Sequence, residues 1–138
     1  MHTAEHILNQ TMIRMFGCGR SFSMHLEKKK SKCDFYFDRS LTEEEEAAIE
    51  EQVNRVISSD LPVIEEFKTY SEAAKYYDVS VLPGKDVESV RIIHVGNYDS
   101  CLCIGAHVER TSEVGSFRIV STSFESGVLR IRFKLNRK

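Results

Sequence analysis

The stretch F-R-I-V-S-T-S-F-E-S-G-V-L-R-I-R-F-K-L, residues 117–135, decides the fold class. Leu129, Ile131, Phe133 and Leu135 alternate with Arg130, Arg132 and Lys134, the period of two of a strand with one buried face. Ser126-Gly127 supplies turn residues just ahead of it, and Phe117 to Phe124 reads as a second strand, so the two should be hairpin-linked. Working outward, Val90–Val95 and Val63–Phe67 read as further strands, with a turn at Pro83-Gly84. Phe35 and Phe37 alternate with Asp34, Tyr36 and Asp38 in another, over 33–38. Helices and strands do not follow one another in βαβ order. The expectation is therefore α+β: a single domain over 1–138, with a largely antiparallel sheet and helices on one face.

Three helices are expected. The first runs from His2 to Met15 and stops at Gly17, with Ala4, Leu8, Met12 and Met15 as its apolar stripe. His2 and His6 fall on a different face, beside Asn9 and Ile13. Residues 17–32 read as a Gly/Ser/Lys-rich connector. The second helix opens at Thr42 with Glu45 three residues on, a capping-box pattern. Glu43–Glu46 then suit the positive end of the helix dipole, and Ile49, Val53, Val56 and Ile57 form its buried stripe. A short helix near 71–77, capped by Ser71, follows.

With 138 residues and 41% apolar content, the chain is long enough for a core without disulfides. Its 19 basic and 21 acidic residues give a net charge of −2, so any contact with nucleic acid must come from a local patch. The cysteines at 18, 33, 101 and 103 are too sparse for a secreted disulfide scaffold. No signal peptide or long apolar run is seen. The expectation is a cytoplasmic protein that does not enter membranes, with a monomer favoured.

The chemistry concentrates in two pairs, H-T-A-E-H at 2–6 and C-I-G-A-H at 103–107. Helical positions i and i+4 share a face, so His2 and His6 direct two nitrogens toward one point. Cys103 and His107 repeat that spacing, and the four together suit one tetrahedral zinc ion. Cys101, two residues from Cys103, reads as a small buried hydrophobe. Cys18, Cys33, His25 and His94 receive no function. His2, Glu5 and His6 also satisfy H-x-x-E-H, a metallopeptidase signature whose Glu is a general base. The Cys/His character of the second pair disfavours that reading, and Glu5 is otherwise expected to face solvent.

The motifs H-T-A-E-H-I-L, S-L-T-E-E-E, L-P-V, D-S-C-L-C-I-G-A-H-V-E-R-T-S-E-V-G-S-F-R-I-V and G-V-L-R-I, in that order, resemble the editing domain of alanyl-tRNA synthetase. They are still more similar to its free-standing AlaX-type trans-editing relatives, and more distantly to the threonyl-tRNA synthetase editing domain. The resemblance implies hydrolysis of a wrong amino-acid ester, chiefly serine, on the tRNA for alanine. It places the family's metal positions on His2, His6, Cys103 and His107. The usual C-x-G-T-H has Ala106 in place of Thr, which bears on amino-acid selectivity. His2 lies where a chain end tends to fray, so metal is expected to order the first turn.

Zinc can acidify a water and polarise a carbonyl, but four protein ligands fill a tetrahedral site that catalytic zinc normally leaves open. Water activation and substrate positioning thus both remain open, and no general base is identified. A catalytically silent relative that binds metal or RNA is the alternative. For tRNA contact the candidates are Lys28, Lys29, Lys30 and Lys32, and the face of Arg130, Arg132 and Lys134, with Arg137 and Lys138 beyond. Such phosphate contacts confer affinity and not sequence choice.

Overall fold

Two antiparallel sheets carry the fold in the computed structural model, which describes residues 2–27, 30–75, 89–102 and 107–136. The larger has the order β1 (Ser23–His25), β2 (Ser31–Tyr36), β7 (Val128–Asn136), β6 (Ser116–Glu125). The smaller has β3 (Val63–Thr69), β4 (Ser89–Val95) and β5 (Asp99–Leu102) in sequence order. Helices α1 (His2–Phe16), α2 (Glu43–Ser58) and α3 (Tyr70–Ala74) complete the α+β architecture. The sequence led us to expect one sheet. Period-two patterning shows which residues are strands but not which strands pair, so the division into two was not legible.

The β6–β7 hairpin forms as expected. Its strands join at Glu125↔Val128, and Ser126 (φ 51°) and Gly127 (φ 81°) both adopt positive φ. That combination marks the turn type whose twist matches paired strands. Leu129, Ile131 and Phe133 are fully buried, and their polar neighbours on β7 point the other way. One core gathers these three with Phe35 from β2, Ile49 and Val53 from α2, and Ala4, Ile7, Leu8 and Met12 from α1.

Helix α2 carries the expected capping box: the Glu45 amide donates to Thr42 Oγ1 at 3.1 Å, and the Thr42 amide to Glu45 Oε1 at 2.9 Å. It also covers the outer edge of β6. Asn54 accepts from the Phe117 amide and donates to its carbonyl at 2.8 and 2.9 Å, and the Ile119 amide donates to Glu50 Oε1 at 2.8 Å. An open edge would invite pairing with another chain, and side chains of α2 close this one.

Several expectations need correction. Met15 is 39% exposed, and Ile7 fills the core in its place. The connector 17–32 contains β1, a short strand too polar to show a hydrophobic period. The short helix is capped by Thr69, not Ser71, and ends at Ala74. β5 was not expected; it pairs with β4 across a turn whose Gly96 has φ 52°. The anticipated turn at Pro83-Gly84 lies outside the described residues. Burial separates two phenylalanines cleanly, since Phe133 is fully buried and Phe67 is 61% exposed. Phe133→Ala should cost about 3–5 kcal/mol, as emptied core sites do. Phe67→Ala should stay within about 0.5 kcal/mol. Urea unfolding of both variants checks this, and equal losses would contradict the core assignment.

Candidate metal centre

Three imidazoles meet beside the first turns of α1. His2 and His6 project one turn apart on the helix, and His107 reaches them from beyond β5. The His6 and His107 ring centres are 4.8 Å apart, and those of His2 and His107 6.0 Å. Thr3 Oγ1 is hydrogen-bonded to His107 Nδ1 at 2.8 Å. Imidazoles sharing one tetrahedral ion, with metal–nitrogen bonds of about 2 Å, hold their ring centres roughly 5 Å apart. The His6–His107 spacing and the nitrogen donors suit two ligands of one zinc ion, while His2 stands farther from His107. Among the described residues, no three His, Cys, Asp or Glu side chains form a ready cage. Cys103 and Ala106 lie outside the described residues.

Beneath the imidazoles is a buried polar network that sequence reading missed. Asp99, the first residue of β5, has no exposed side-chain surface and lies 3.3 Å from His6 Nδ1 through Oδ2. Arg20 grips it with two bonds: Nη1 to Oδ1 at 2.8 Å and Nη2 to Oδ2 at 3.2 Å. Gln10 Nε2 adds a third, to Oδ1 at 3.0 Å. A carboxylate on one ring nitrogen of a ligating histidine favours the proton there, leaving the other nitrogen to bind metal. The only sequence signal for Asp99 was an acid just ahead of C-L-C.

Glu5 corrects an expectation. It was expected to face solvent, yet it is 5% exposed. Asn9 Nδ2 donates to Glu5 Oε1 at 2.5 Å, and Glu5 Oε2 lies 3.7 Å from His6 Nε2. The Ser21 amide in turn donates to Asn9 Oδ1 at 2.5 Å. The segment holding Arg20 and Ser21 lies across this face of α1, so the helix is buried on its histidine side as well as on its apolar side. Helical periodicity locates the apolar face but does not reveal a polar face covered by a loop.

Comparison with known proteins bears on this geometry. Residues 90–132 match the family described as the threonyl and alanyl tRNA synthetase second additional domain. The alanine–tRNA ligase of Fervidobacterium nodosum is 38% identical over 132 residues, 94% of this chain and 15% of that protein. That of Pseudothermotoga lettingae is 35% identical over 132 residues, again 94% and 15%. The ligase of Treponema denticola is 32% identical over 133 residues, 95% of this chain and 22% of that protein. The chain is related to the alanyl-tRNA synthetases. It spans about 15% of the length of the curated relatives first matched.

In this synthetase relative the other candidates fall as follows. Arg130 donates to Asp34 through Nε at 2.8 Å and Nη2 at 3.0 Å, so it is already committed to a carboxylate. Lys30, Lys32, Arg132 and Lys134 are at least partly exposed, whereas Lys28, Lys29, Arg137 and Lys138 lie outside the described residues. His25 pairs with Glu27 at 2.7 Å, and His94 with Ser100 at 2.6 Å. Cys33 is buried, Cys18 and Cys101 only half-buried. No helix among the described residues is long and apolar enough to cross a membrane.

Burial governs the charge state of the site. It pushes the His107 imidazolium pKa down, helped by the positive fields of His6 and His2, to about 3. His2 is lowered too, first by burial and then by neighbouring positive charge that includes His6. Burial alone would raise Asp99, but His6 and Arg20 outweigh it and leave that carboxyl below its ordinary value. Glu5, with weaker compensation against burial, is raised. Near neutral pH the two lowered imidazoles are thus uncharged, the form that binds metal.

A histidine whose folded pKa is depressed makes the unfolded chain the stronger proton binder. Its stabilising effect is present above about pH 6.5 and is lost as pH falls toward the folded value. The urea midpoint of the metal-free chain should be level near neutrality and fall on acidification from about pH 6.5 to 4. His107→Gln should flatten that fall. An identical pH profile in the variant would show that His107 is not shielded as described.

Proposed function

We propose that the chain hydrolyses the ester of a mischarged aminoacyl-tRNA, most specifically serine on the tRNA for alanine, acting in trans. The convergence of His2, His6 and His107 beside buried Asp99, in a chain related to alanyl-tRNA synthetases, supports this reading. We place one zinc ion on His2, His6, Cys103 and His107. When bound, it would supply Lewis-acid polarisation of the ester carbonyl or an acidified water.

The chain's own residues prepare that chemistry. Asp99 holds the His6 ring by its Nδ1 side, and Thr3 holds His107 at Nδ1. Fixing these rings removes rotamer freedom that a ligand would otherwise have to freeze on binding. The tRNA partner reaches the chain through exposed basic side chains. The H-x-x-E-H peptidase alternative gains no support, because the similarity runs to alanine–tRNA ligases and Glu5 is taken up by a hydrogen bond from Asn9.

Deacylation of Ser-, Gly- and Ala-charged tRNA, with and without chelator, tests the reading. Chelator-sensitive loss of serine from its tRNA is expected; inertness toward all three would leave only the silent metal- or RNA-binding alternative. Metal analysis should find one zinc per chain, largely lost in Cys103→Ser and His6→Ala. Asp99→Asn, which keeps the shape but not the charge, should weaken zinc by about 10–100-fold. Full occupancy in all three variants would remove the ligand assignment.

Position 106 offers a second test. A site that hydrogen-bonds a substrate hydroxyl rejects analogues lacking it strongly, whereas an apolar pocket discriminates by only about 1–3 kcal/mol. With Ala106 in place of the Thr of similar chains, discrimination of serine from alanine should be loose. Ala106→Thr should raise the ratio of serine to alanine removal, read from kcat/KM on the two charged tRNAs. A ratio that stays level or drops would locate selectivity elsewhere.

A further inference from the structure

The outward face of the larger sheet carries an arrangement that folding alone does not explain. Register places Lys32 directly opposite Arg132, and Arg118 directly opposite Lys134. Like charges facing each other across paired strands are destabilising, yet this face does it twice in adjoining positions. Among the described residues, no carboxylate stands at ion-pair distance from any of these four cations, whereas Arg130 on the same face is answered by Asp34. A band of cations thus crosses three strands, and the one carboxylate that acts on Lys32 and Arg132, Asp34, is already engaged by Arg130. Something anionic from outside would relieve it.

Two aromatic rings beside the band narrow the choice. Phe22 and Tyr36 stack at 4.0 Å between ring centres with planes 15° apart, and they remain 44% and 69% exposed. Tyr36, Asp34 and Lys32 alternate on one side of β2, which puts the stack and the cations on the same face. Beside Phe22 lies an open depression of about 400 Å³ whose charged lining is Asp34, Glu125 and Arg130, so the phosphates fall to the cations outside it. An acidic peptide or an anionic lipid surface would use the charge but leave the ring faces idle. Unpaired RNA uses both, because it brings phosphates together with flat bases.

We propose that this face is an RNA-docking surface, with Lys32, Arg118, Arg132 and Lys134 taking phosphates and the Phe22–Tyr36 stack taking an unpaired base. The inference rests on the tRNA reading above only in expecting RNA as the biological partner. It adds Arg118 and both aromatics to the contacts the sequence suggested, and it removes Arg130. The surface binds by charge and stacking, so it confers affinity without base identity.

Fluorescence anisotropy of the full chain with a short labelled RNA lacking secondary structure, across a salt series, provides the test. Four phosphate contacts on a single strand predict that log K falls against log salt with a slope of about −3. Arg132→Ala and Lys134→Ala should each flatten that slope by about 0.7. Tyr36→Ala should weaken binding about tenfold at unchanged slope, because stacking releases no counterions. Ser121→Glu, which puts a negative charge beside Arg132 on the same face, should also weaken binding. Unchanged slopes in the cation variants, or unchanged affinity in Tyr36→Ala, would overturn the assignment. So would equal binding of polyglutamate or phosphatidylserine vesicles. Hydrolysis measured in parallel separates this surface from the proposed activity. RNA binding with these slopes in a chain inert on charged tRNA leaves the surface standing. Hydrolysis with unchanged KM in the cation variants removes the surface alone.

Discussion

A carboxylate with no exposed side-chain surface stays charged only if its neighbours neutralise it, and Asp99 meets that condition through Arg20 and His6. Those partners come from the segment after α1 and from α1 itself, while Asp99 belongs to β5. One charge therefore ties three separate stretches together, and Gln10 adds a second attachment to the helix. Stripping one member from such a group leaves its partner buried and uncompensated, so the loss exceeds the value of the contact itself. The tie also sets the orientation of His6. Stability and site geometry share the same atoms here, because the contact that neutralises Asp99 is the one that turns an imidazole toward its neighbours.

The larger sheet depends on a different constraint. Its inward face is closed by apolar packing, with Leu129, Ile131 and Phe133 against α1 and α2. Its β6 edge is closed by Asn54, Glu50 and Glu46, the last accepting a short hydrogen bond from Thr122. The outward face keeps an excess of positive charge that Asp34 offsets only in part. A sheet stabilised so thoroughly on one side tolerates two like-charge pairs on the other, each worth only a fraction of a kcal/mol against it. That tolerance lets the surface carry charge chosen for a partner and not for the fold.

The parts that were legible in the sequence are those decided by local rules. The 126–127 turn, the alternation of β7, the Thr42–Glu45 box and the stripe of α2 each lie within a few residues of chain, and all formed as read. What escaped reading depends on long-range pairing. β5 is four residues long and becomes a strand because β4 offers it a ladder. The pairing of β2 with β7 joins residues about a hundred positions apart, and no period announces it. Glu5 looked like a solvent residue because loop coverage leaves no trace in helical spacing. At the site, spacing identified His2, His6 and His107 as companions, and the structure brings them together. Of their support, Arg20 carries no motif and Asp99 only opens the D-S-C-L-C run without ligand spacing to the histidines, because a positioning residue needs only to arrive at the right place.

His107 and Asp99 show why that support is arranged as it is. Helical spacing alone can bring only His2 and His6 side by side, since positions i and i+4 are fixed by the backbone. A third imidazole must come from elsewhere and needs an anchor against helix α1. β5 meets both needs within nine residues, because its first residue supplies the carboxylate that locks onto Arg20 and His6 and the chain beyond it carries His107 to Thr3. The distance from anchor to imidazole is then short enough that His107 cannot wander far from α1. A site built this way tolerates change in the smaller sheet as long as Asp99 keeps its grip. It becomes loose when that grip is lost, even with every imidazole still present.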